Sequence, residues 1–291
     1  MSKLYERYKS WGHTPDLAFH PPKAFRLNAL KDTKGVIERL EKETFHTTKH
    51  QHTAQGYTYE GDKSISSTPE YLTGVIYRQG IASQLPVEVL NPNGPTLDMC
   101  AAPGSKTTQL AAHTQSNVPI VALDSNMQRI KSLKANLDRC GVTSVVTYRK
   151  DGRFADDLPF RYDYVLLDPP CSGNYTQETN FVNKRTLSDI KSRMRTQREL
   201  LEAAYYVLNP GGTMVYSTCS LEPEENEVQI DWFLKAFPDM KCVPTDLSLG
   251  SQGMASPFHK ELHPDIENTR RFWPDQTKTE GFFIAKLVKD T

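Results

Sequence analysis

The chain of 291 residues contains 35 Lys and Arg residues and 35 Asp and Glu residues, so its formal net charge at pH 7 is zero. This balance excludes a global basic field, and any contact with nucleic acid must depend on a local patch. Hydrophobic residues make up 37% of the chain, as is typical of soluble globular proteins, and no run approaches the roughly 18 apolar residues of a membrane span. The first residues, MSKLYERYKS, lack the apolar core of a signal peptide, so we expect a cytoplasmic protein.

Hydrophobic patterning divides the chain into two unequal parts. Residues 1–92 show no regular pattern and predict a small α+β segment that packs against the larger part, 93–291. In the larger part, apolar runs predict strands at 96–100, 119–124, 144–148, 162–168 and 213–219. Amphipathic segments predict helices at 104–114, 126–141, 188–208 and 223–237. This alternation is typical of an α/β fold with a parallel sheet that is covered by helices on both faces.

Acidic and nucleophilic side chains follow these predicted strands. Ligands of open parallel sheets bind beyond the carboxyl ends of the strands. The residues that we expect at that edge are Cys100, Asp124, Asp151, Asp168, Cys171 and Cys219. Side chains from distant parts of the sequence would therefore converge on one site.

The segment DMCAAPGSKTTQL joins the first predicted strand to the first predicted helix. Its small residues allow a ligand to approach the backbone, and a helix start offers free N–H groups to an anion. The segment is neither G-x-G-x-x-G nor G-x-x-x-x-G-K-[ST], so neither a dinucleotide nor an ATP phosphate is the obvious ligand. A ligand carboxylate would fit, with Lys106 as one option for its partner. The alternative is an ordinary tight loop.

Two acids further along suggest the rest of the ligand. Asp124 ends the second predicted strand, where an acid commonly binds the two hydroxyls of a ribose. Asp151 follows the third, where a carboxylate could accept a hydrogen bond from an adenine amino group. Each acid could equally be a turn or helix cap. Together with the first loop, they describe the shape of S-adenosylmethionine.

The five cysteines are widely spaced and include no C-x-x-C pair, which argues against a disulfide framework or a structural zinc site. The segment HTTKHQH, 46–52, has no carboxylate or cysteine spaced to complete a metal site, and we interpret it as a polar loop. We therefore expect no metal. Cys140 and Cys242 suit the role of small buried hydrophobic residues.

Three segments, LDMCAAPGSKT, LLDPPCSG and YSTCSLEPEENE, resemble the RNA cytosine-C5 methyltransferases of the Nol/Nop/Sun family, also called the Sun-domain family. FRLNALK, 25–31, is similar to the R-x-N-x-L-K signature of that family, and TEGFFIAKL, 279–287, to its closing strand. The resemblance is close over about 79–287. It implies the class I S-adenosylmethionine-dependent methyltransferase fold, which is Rossmann-like with a mainly parallel seven-stranded sheet.

The resemblance also implies a reaction, namely methyl transfer from S-adenosylmethionine to C5 of a cytosine in rRNA or tRNA. Cys219 would be the thiolate that adds to C6, because C5 alone is a poor nucleophile. Cys171 would assist product release as a base or through one, and Asp168 would hydrogen-bond the cytosine at N3 or N4. The residues implied for the cofactor are Cys100, Ala101, Ala102, Pro103, Gly104, Ser105, Lys106, Asp124, Arg129, Asp151 and Asp168.

Two other functions compete with this interpretation. A methyltransferase for another base or for protein is disfavoured by the presence of both Cys171 and Cys219. An RNA-binding scaffold without turnover has no support, since all the predicted catalytic side chains are present. Two core cysteines at strand ends are the structural alternative.

The segment KRTLSDIKSRMRTQR, 184–198, could hold RNA phosphates, although a solvated helix face is an equal alternative. Its basic residues are Lys184, Arg185, Lys191, Arg193, Arg195 and Arg198. Basic residues of the N-terminal segment could extend the patch, namely Lys23, Arg26, Lys31 and Lys34. The cytosine must be flipped or unpaired, because stacking hides C6. We expect a monomer without an appended RNA-binding domain.

Overall fold

The computed structural model describes residues 3–178 and 181–291, without the side chains of Lys3 and Val182. Its strands are β1 Lys23–Leu27, β2 His46–Lys49, β3 Gly56–Glu60, β4 Ile76–Arg78, β5 Thr96–Asp98, β6 Ile120–Asp124, β7 Val145–Arg149, β8 Tyr162–Leu167, β9 Leu208–Thr218, β10 Met240–Val243, β11 Ser251–Gln252, β12 Arg270–Phe272 and β13 Phe282–Lys289. Its helices are α1 Lys3–Ser10, α2 Val36–Lys42, α3 Pro69–Leu72, α4 Ile81–Leu90, α5 Ser105–His113, α6 Met127–Cys140, α7 Phe181–Lys184, α8 Leu187–Val207, α9 Glu227–Ala236 and α10 Pro274–Thr277. Within these ranges, no helix is both long and apolar enough to cross a membrane.

The large sheet has nine strands in the order β11-β12-β13-β9-β8-β5-β6-β7, with β10 also paired to β13. The strands from β9 to β7 are parallel, whereas β13 runs antiparallel to β9, β10 and β12. The predicted count of seven strands is therefore wrong by two. The reason is the length of β13, whose first half pairs with β12 (Phe282 with Phe272) and whose second half pairs with β10 (Leu287 with Cys242).

The central strands are apolar throughout because both of their faces are buried. Val165 of β8 packs in the cluster that contains Leu201 of α8 and Phe233 of α9. The next residue, Leu166, packs in the opposite cluster with Leu110 of α5. Alternate side chains of one strand therefore enter two separate cores, which explains why the strands read as continuous apolar runs.

The N-terminal sheet is antiparallel, in the order β2-β3-β1-β4. Its own core includes Phe25, Leu40 and Phe45. The interpretation of 46–52 as a polar loop is wrong for its first four residues, which form the edge strand β2 paired with β3. Threonines 47 and 48 favour this strand because β-branched side chains fit a pleated edge.

Arg26 of β1 joins the small sheet to helix α5 of the large domain. Its side chain is only 1% exposed, which contradicts its predicted place in a basic surface patch. Its Nε donates to Oε1 of Gln79 at 2.8 Å, and its guanidinium also donates to Oγ1 of Thr108 at 2.5 Å and to the carbonyl of Ser105 at 3.2 Å. Burial lowers the pKa of Arg26 to about 10. The arginine of FRLNALK therefore anchors β1 to the helix that follows the first loop.

Two further contacts tie the N-terminal residues to the large domain. The amide of Asn28 donates to the carbonyls of Gly74 and Cys140, at 2.8 and 2.9 Å. Leu85 of α4 packs in the same cluster as Leu166 of β8, so α4 lies on the large sheet although it precedes residue 93. The division at residue 92 stays a prediction.

Helix α1 lies apart from the small sheet, against the large domain. Tyr8 packs in a cluster with Phe181, Leu221 and Trp273. Its hydroxyl donates to Oε1 of the buried Glu222 at 2.6 Å. The N-terminal helix is therefore held beside the loop that follows β9.

Candidate active site

The two cysteines of the LLDPPCSG and YSTCS segments face each other. Strands β8 and β9 are parallel neighbours, so the loops that follow them leave the same edge of the sheet. The Sγ atoms of Cys171 and Cys219 lie 2.9 Å apart. This distance exceeds the roughly 2.05 Å of a disulfide bond, and both thiols are free. The two thiols are therefore within hydrogen-bonding distance of each other, and either sulfur can be the donor.

The surroundings of Cys171 disfavour the ionised form of its thiol. The hydrogen bond with Cys219 and burial raise the pKa of the Cys171 thiol well above its ordinary value, and the nearby charge of Glu225 adds to this effect.

Asp168 lies directly after β8, between the cysteine pair and the first loop. One of its carboxylate oxygens forms an ion pair with the ammonium group of Lys106, whose side chain is only 8% exposed. The other accepts a hydrogen bond from the hydroxyl of Ser217 at 3.2 Å. Lys106, which is one option as the partner of a ligand carboxylate, pairs here with Asp168. The lysine therefore fixes the orientation of this acid.

The first loop forms one wall of a cavity of about 440 Å³, to which it contributes Cys100 and Ala102. Ala101 is buried and its N–H donates to the carbonyl of Leu123 at 2.8 Å. Pro103 is exposed, so its ring lies on the outer side of the loop. The loop thus presents mainly backbone and small side chains to the cavity.

Gly104 ends this loop and caps α5 with a φ of 107°, in the left-handed region that favours glycine. A Cβ at this position would meet Cδ1 of Leu133 at 2.9 Å. Ser105 then begins α5, and its carbonyl is occupied by Arg26. Glycine therefore serves both the turn and the close packing of α5 against α6.

Asp124 lies at the end of β6 and is buried. Its Oδ1 accepts from the N–H of Asn126 at 2.9 Å, and its Oδ2 lies 3.2 Å from the guanidinium of Arg129. The same guanidinium donates to the carbonyl of Ala102. Arg129 therefore links the second acid to the first loop, and both Asp124 and Arg129 line the cavity.

Asp151 lines the other end of the cavity. It caps a short 3₁₀ helix through the N–H of Arg153, and its carboxylate lies 2.7 Å from the Arg153 guanidinium. Hydrogen bonds from Arg153 hold the pKa of Asp151 below its ordinary value. The acid is therefore ionised at neutral pH and available as an acceptor on its remaining lone pairs.

The predicted RNA-binding residues lie on α7, α8 and the turn between them. Lys191 and Arg193 are exposed on α8, and Arg195 is exposed but paired with Glu199 at 3.1 Å. Arg198 is half-buried and lies over the ring of Trp232, 4.9 Å from its centroid.

Lys184 and Arg185 both pair with Glu178, at 3.2 and 2.8 Å. The Arg185 guanidinium also donates to the carbonyl of Ser172 at 3.0 Å, next to the cysteine pair. The six residues are therefore not one uniform stripe. Arg185 braces the Cys171 loop, while Lys191 and Arg193 face solvent.

Several site residues were missed from the sequence. Ser217, Asn174, Gln197 and Glu225 all bind the loops that carry the cysteines. Ser217 and Glu225 lie within the segment YSTCSLEPEENE, and Asn174 directly follows LLDPPCSG, so their nearness to the cysteines in the sequence is the signal that could have indicated them. Gln197 sits in the middle of a polar helix and shows no signal in the sequence. Across the part of the chain that the structure describes, no group of three or more metal-binding side chains is found.

A sequence model described as "16S rRNA methyltransferase RsmB/F" matches residues 87–288. The human "28S rRNA (cytosine(4447)-C(5))-methyltransferase" is 39% identical over 239 residues, which cover 79% of this chain and 29% of the relative. The "25S rRNA (cytosine-C(5))-methyltransferase nop2" of Schizosaccharomyces pombe is 40% identical over 79% of this chain and 40% of the relative. The "Ribosomal RNA small subunit methyltransferase F" of Erwinia tasmaniensis is 38% identical over 77% of this chain and 47% of the relative. The chain therefore spans less than half of the length of these relatives.

Solved structures are similar over nearly the whole chain. A "Methyltransferase Homolog Protein" from Pyrococcus horikoshii superposes with a TM-score of 0.85 and 39% identity, covering 94% of this chain and 88% of that one. NSun6 from the same organism has a TM-score of 0.84 at 24% identity, covering 94% of this chain and 92% of that one, and supports the fold alone. The fold is therefore the predicted class I S-adenosylmethionine-dependent methyltransferase fold. The family match and these relatives confirm the resemblance carried by the motifs, and the chain belongs to the RsmB/F, or Sun-domain, family of methyltransferases.

Proposed function

We propose that this chain transfers a methyl group from S-adenosylmethionine to C5 of a cytosine in ribosomal RNA, through a covalent bond between Cys219 and C6. The observation that carries the proposal is the 2.9 Å contact between the Sγ atoms of Cys171 and Cys219, which line the same cavity as Asp168. The names of the relatives, which are rRNA cytosine-C5 methyltransferases in human and S. pombe, support the choice of base and of RNA.

The cavity suits the proposed cofactor. Its volume of about 440 Å³ falls in the range of small-molecule sites. Asp124 would accept hydrogen bonds from the ribose hydroxyls, and Asp151 from the adenine amino group. The small side chains of Cys100 and Ala102 leave room beside the methionine part, and the carboxylate of Asp168 favours a positive sulfonium nearby. When bound there, S-adenosylmethionine supplies an electrophilic methyl group.

The cysteine pair performs the covalent chemistry on the base. The thiolate of Cys219 adds to C6 of the cytosine, the C5–C6 double bond opens, and its electron pair becomes available at C5. Asp168, oriented by Lys106 and Ser217, accepts a hydrogen bond from the cytosine amino group. C5 would then bond to the methyl group of the bound cofactor, whose bond to the sulfonium sulfur would break and leave the neutral thioether S-adenosylhomocysteine.

Release reverses the first step. The proton on C5 is removed by a base, the C5–C6 double bond forms again, and the bond from C6 to the sulfur of Cys219 breaks. Cys171 lies at hydrogen-bonding distance from that sulfur, so it is placed to assist this step as a base or through one. The two cysteines thus act in succession on one adduct.

The role of Asp124 can be tested by cofactor binding alone. We expect Asp124→Ala to weaken the binding of S-adenosylmethionine about 10- to 100-fold, because it removes charge-assisted hydrogen bonds to two ribose hydroxyls. Isothermal titration calorimetry of the folded variant measures this change. Asp157→Ala, which removes an acid whose side chain is 69% exposed, is the matched control. An unchanged affinity for the Asp124 variant would show that the ribose binds elsewhere.

The proposed reaction is tested by methyl transfer to unmodified RNA. Purified protein is incubated with radiolabelled S-adenosylmethionine and with separate rRNA and tRNA transcripts, and the labelled nucleoside is identified by mass spectrometry. We expect 5-methylcytosine at a defined position in rRNA. Label in tRNA alone would contradict the choice of RNA, label on another atom would contradict the reaction, and absence of label would contradict both.

A further inference from the structure

A single buried carboxylate connects the two loops that carry the cysteines. Glu225 is 0% exposed and ends the short 3₁₀ helix that follows β9. Its Oε1 accepts hydrogen bonds from the N–H of Ser172 at 3.0 Å and from Nε2 of Gln197 at 2.9 Å. Its Oε2 accepts from the hydroxyl of Ser220 at 2.6 Å and from that of Ser172. Ser172 and Ser220 each directly follow one cysteine of the pair.

The partners of Glu225 are all neutral groups of these loops and of α8. No Lys, Arg or His of the described residues forms an ion pair with it. Gln197 also donates to the carbonyl of Pro170 at 3.1 Å, immediately before Cys171. Asn174 makes a second tie between the loops, since its amide donates to the carbonyl of Cys219 at 2.7 Å. The Glu225 carboxylate therefore binds the loops of both cysteines, and no cation among the described residues pairs with it.

We propose that Glu225 is a positioning residue that holds the Sγ atoms of Cys171 and Cys219 at hydrogen-bonding distance by fastening their loops to each other. Its catalytic importance rests on the proposed function, because there the two sulfurs act in succession on one adduct. The geometry itself does not depend on that function. It can therefore be measured without RNA and without methyl transfer.

The test measures how closely the two thiols are held in the folded protein. In a glutathione redox buffer, the thiols of Cys171 and Cys219 react with one molecule of oxidised glutathione to give one protein disulfide and two molecules of reduced glutathione. Two electrons and two protons pass from the protein thiols to the glutathione disulfide. The equilibrium constant gives the effective concentration of one thiol near the other, and peptide mass spectrometry assigns the bond to Cys171 and Cys219.

Two replacements of Glu225 separate positioning from charge. Glu225→Ala removes all of its hydrogen bonds, and we expect the effective concentration to fall at least about tenfold. Glu225→Gln keeps an acceptor for the obligatory donors on Ser172 and Gln197, while its amide can donate to the two serine hydroxyls. We therefore expect the glutamine variant to stay within about twofold of the unmodified protein.

The matched control is Glu222→Ala. Glu222 is equally buried, and its carboxylate binds Tyr8 of α1 instead of the cysteine loops. We expect this control to stay within about twofold of the unmodified protein. If Glu225→Ala does not fold, as judged by circular dichroism, the double variant Ser172→Ala and Ser220→Ala removes only the hydroxyl partners. For that variant we expect a decrease of about threefold or more.

The outcomes are distinct. An unchanged effective concentration in Glu225→Ala would overturn the proposal. If Glu225→Ala does not fold, an unchanged value in the double serine variant would overturn it. A glutamine variant with an effective concentration as low as that of the alanine variant would also overturn it, because the charge of Glu225 would then set the distance between the thiols. An equal decrease in Glu222→Ala would overturn it too, because the loss of any buried carboxylate would then separate the thiols. A protein that passes this test but methylates no RNA would refute the proposed function and leave the positioning role standing.

Discussion

Cys219→Ala is expected to lower the rate of methyl transfer to RNA by at least about 10³-fold, the scale seen when a covalent nucleophile is removed. The reason is chemical, because C5 of cytosine gains electron density only after a thiolate has added to C6. The folded variant should bind S-adenosylmethionine with unchanged affinity, since the other cavity residues remain. Single-turnover methyl transfer and calorimetric titration of the cofactor measure the two quantities separately.

Cys242→Ala is the matched control for this experiment. Cys242 lies on β10, is buried in the core of the large sheet and does not line the cavity. Its replacement should reduce stability slightly and leave methyl transfer of the folded fraction intact. Substantial methyl transfer by Cys219→Ala would refute the covalent mechanism, whatever the control shows.

Cys171→Ala is expected to accumulate a covalent complex between Cys219 and RNA. The sulfur of Cys219 remains able to add to C6, whereas the group that assists release is gone, so we expect product release to slow about 100-fold or more. Denaturing electrophoresis with labelled RNA detects the complex as a band of reduced mobility. The expected result is a strong band for Cys171→Ala and a faint one for the unmodified protein.

The double variant Cys171→Ala and Cys219→Ala supplies the control. It should form no complex, because the sulfur that would bond to C6 is absent. If Cys171→Ala turns over without accumulating a complex, release does not depend on Cys171. If the band survives in the double variant, another residue is the nucleophile.

The regular helices and strands of the large domain were predictable because local sequence preferences favour the same structure there as tertiary packing does. The amphipathic segment 126–141 forms α6, and Gly141 ends it with a φ of 71°, as a glycine C-cap does. The long helix predicted at 188–208 is α8, Leu187–Val207. The predicted strands at 119–124 and 162–168 are β6 and β8 within one residue at each end.

The short or irregular elements were not predictable in the same way. Strands β11 and β12 have two and three residues and exist because other strands pair with them, β13 with β12 and β12 with β11. Helix α4 contains Pro86 and is buried on nearly all sides, so it lacks the amphipathic period that marks a surface helix. In these places pairing and burial, which depend on distant residues, outweigh local preference.

The sequence by itself determined which residues meet at the carboxyl edge of the sheet. Parallel strands place their following loops on one edge, so Asp124, Asp168, Cys171 and Cys219 had to converge once the strands were recognised. Only the tertiary structure decided how these groups are held. The pairing of Lys106 with Asp168 joins residues that are 62 positions apart, and the hydrogen bond from Ser172 to Glu225 joins residues that are 53 positions apart. Such contacts follow from side-chain geometry after folding, and no local pattern in the chain encodes them.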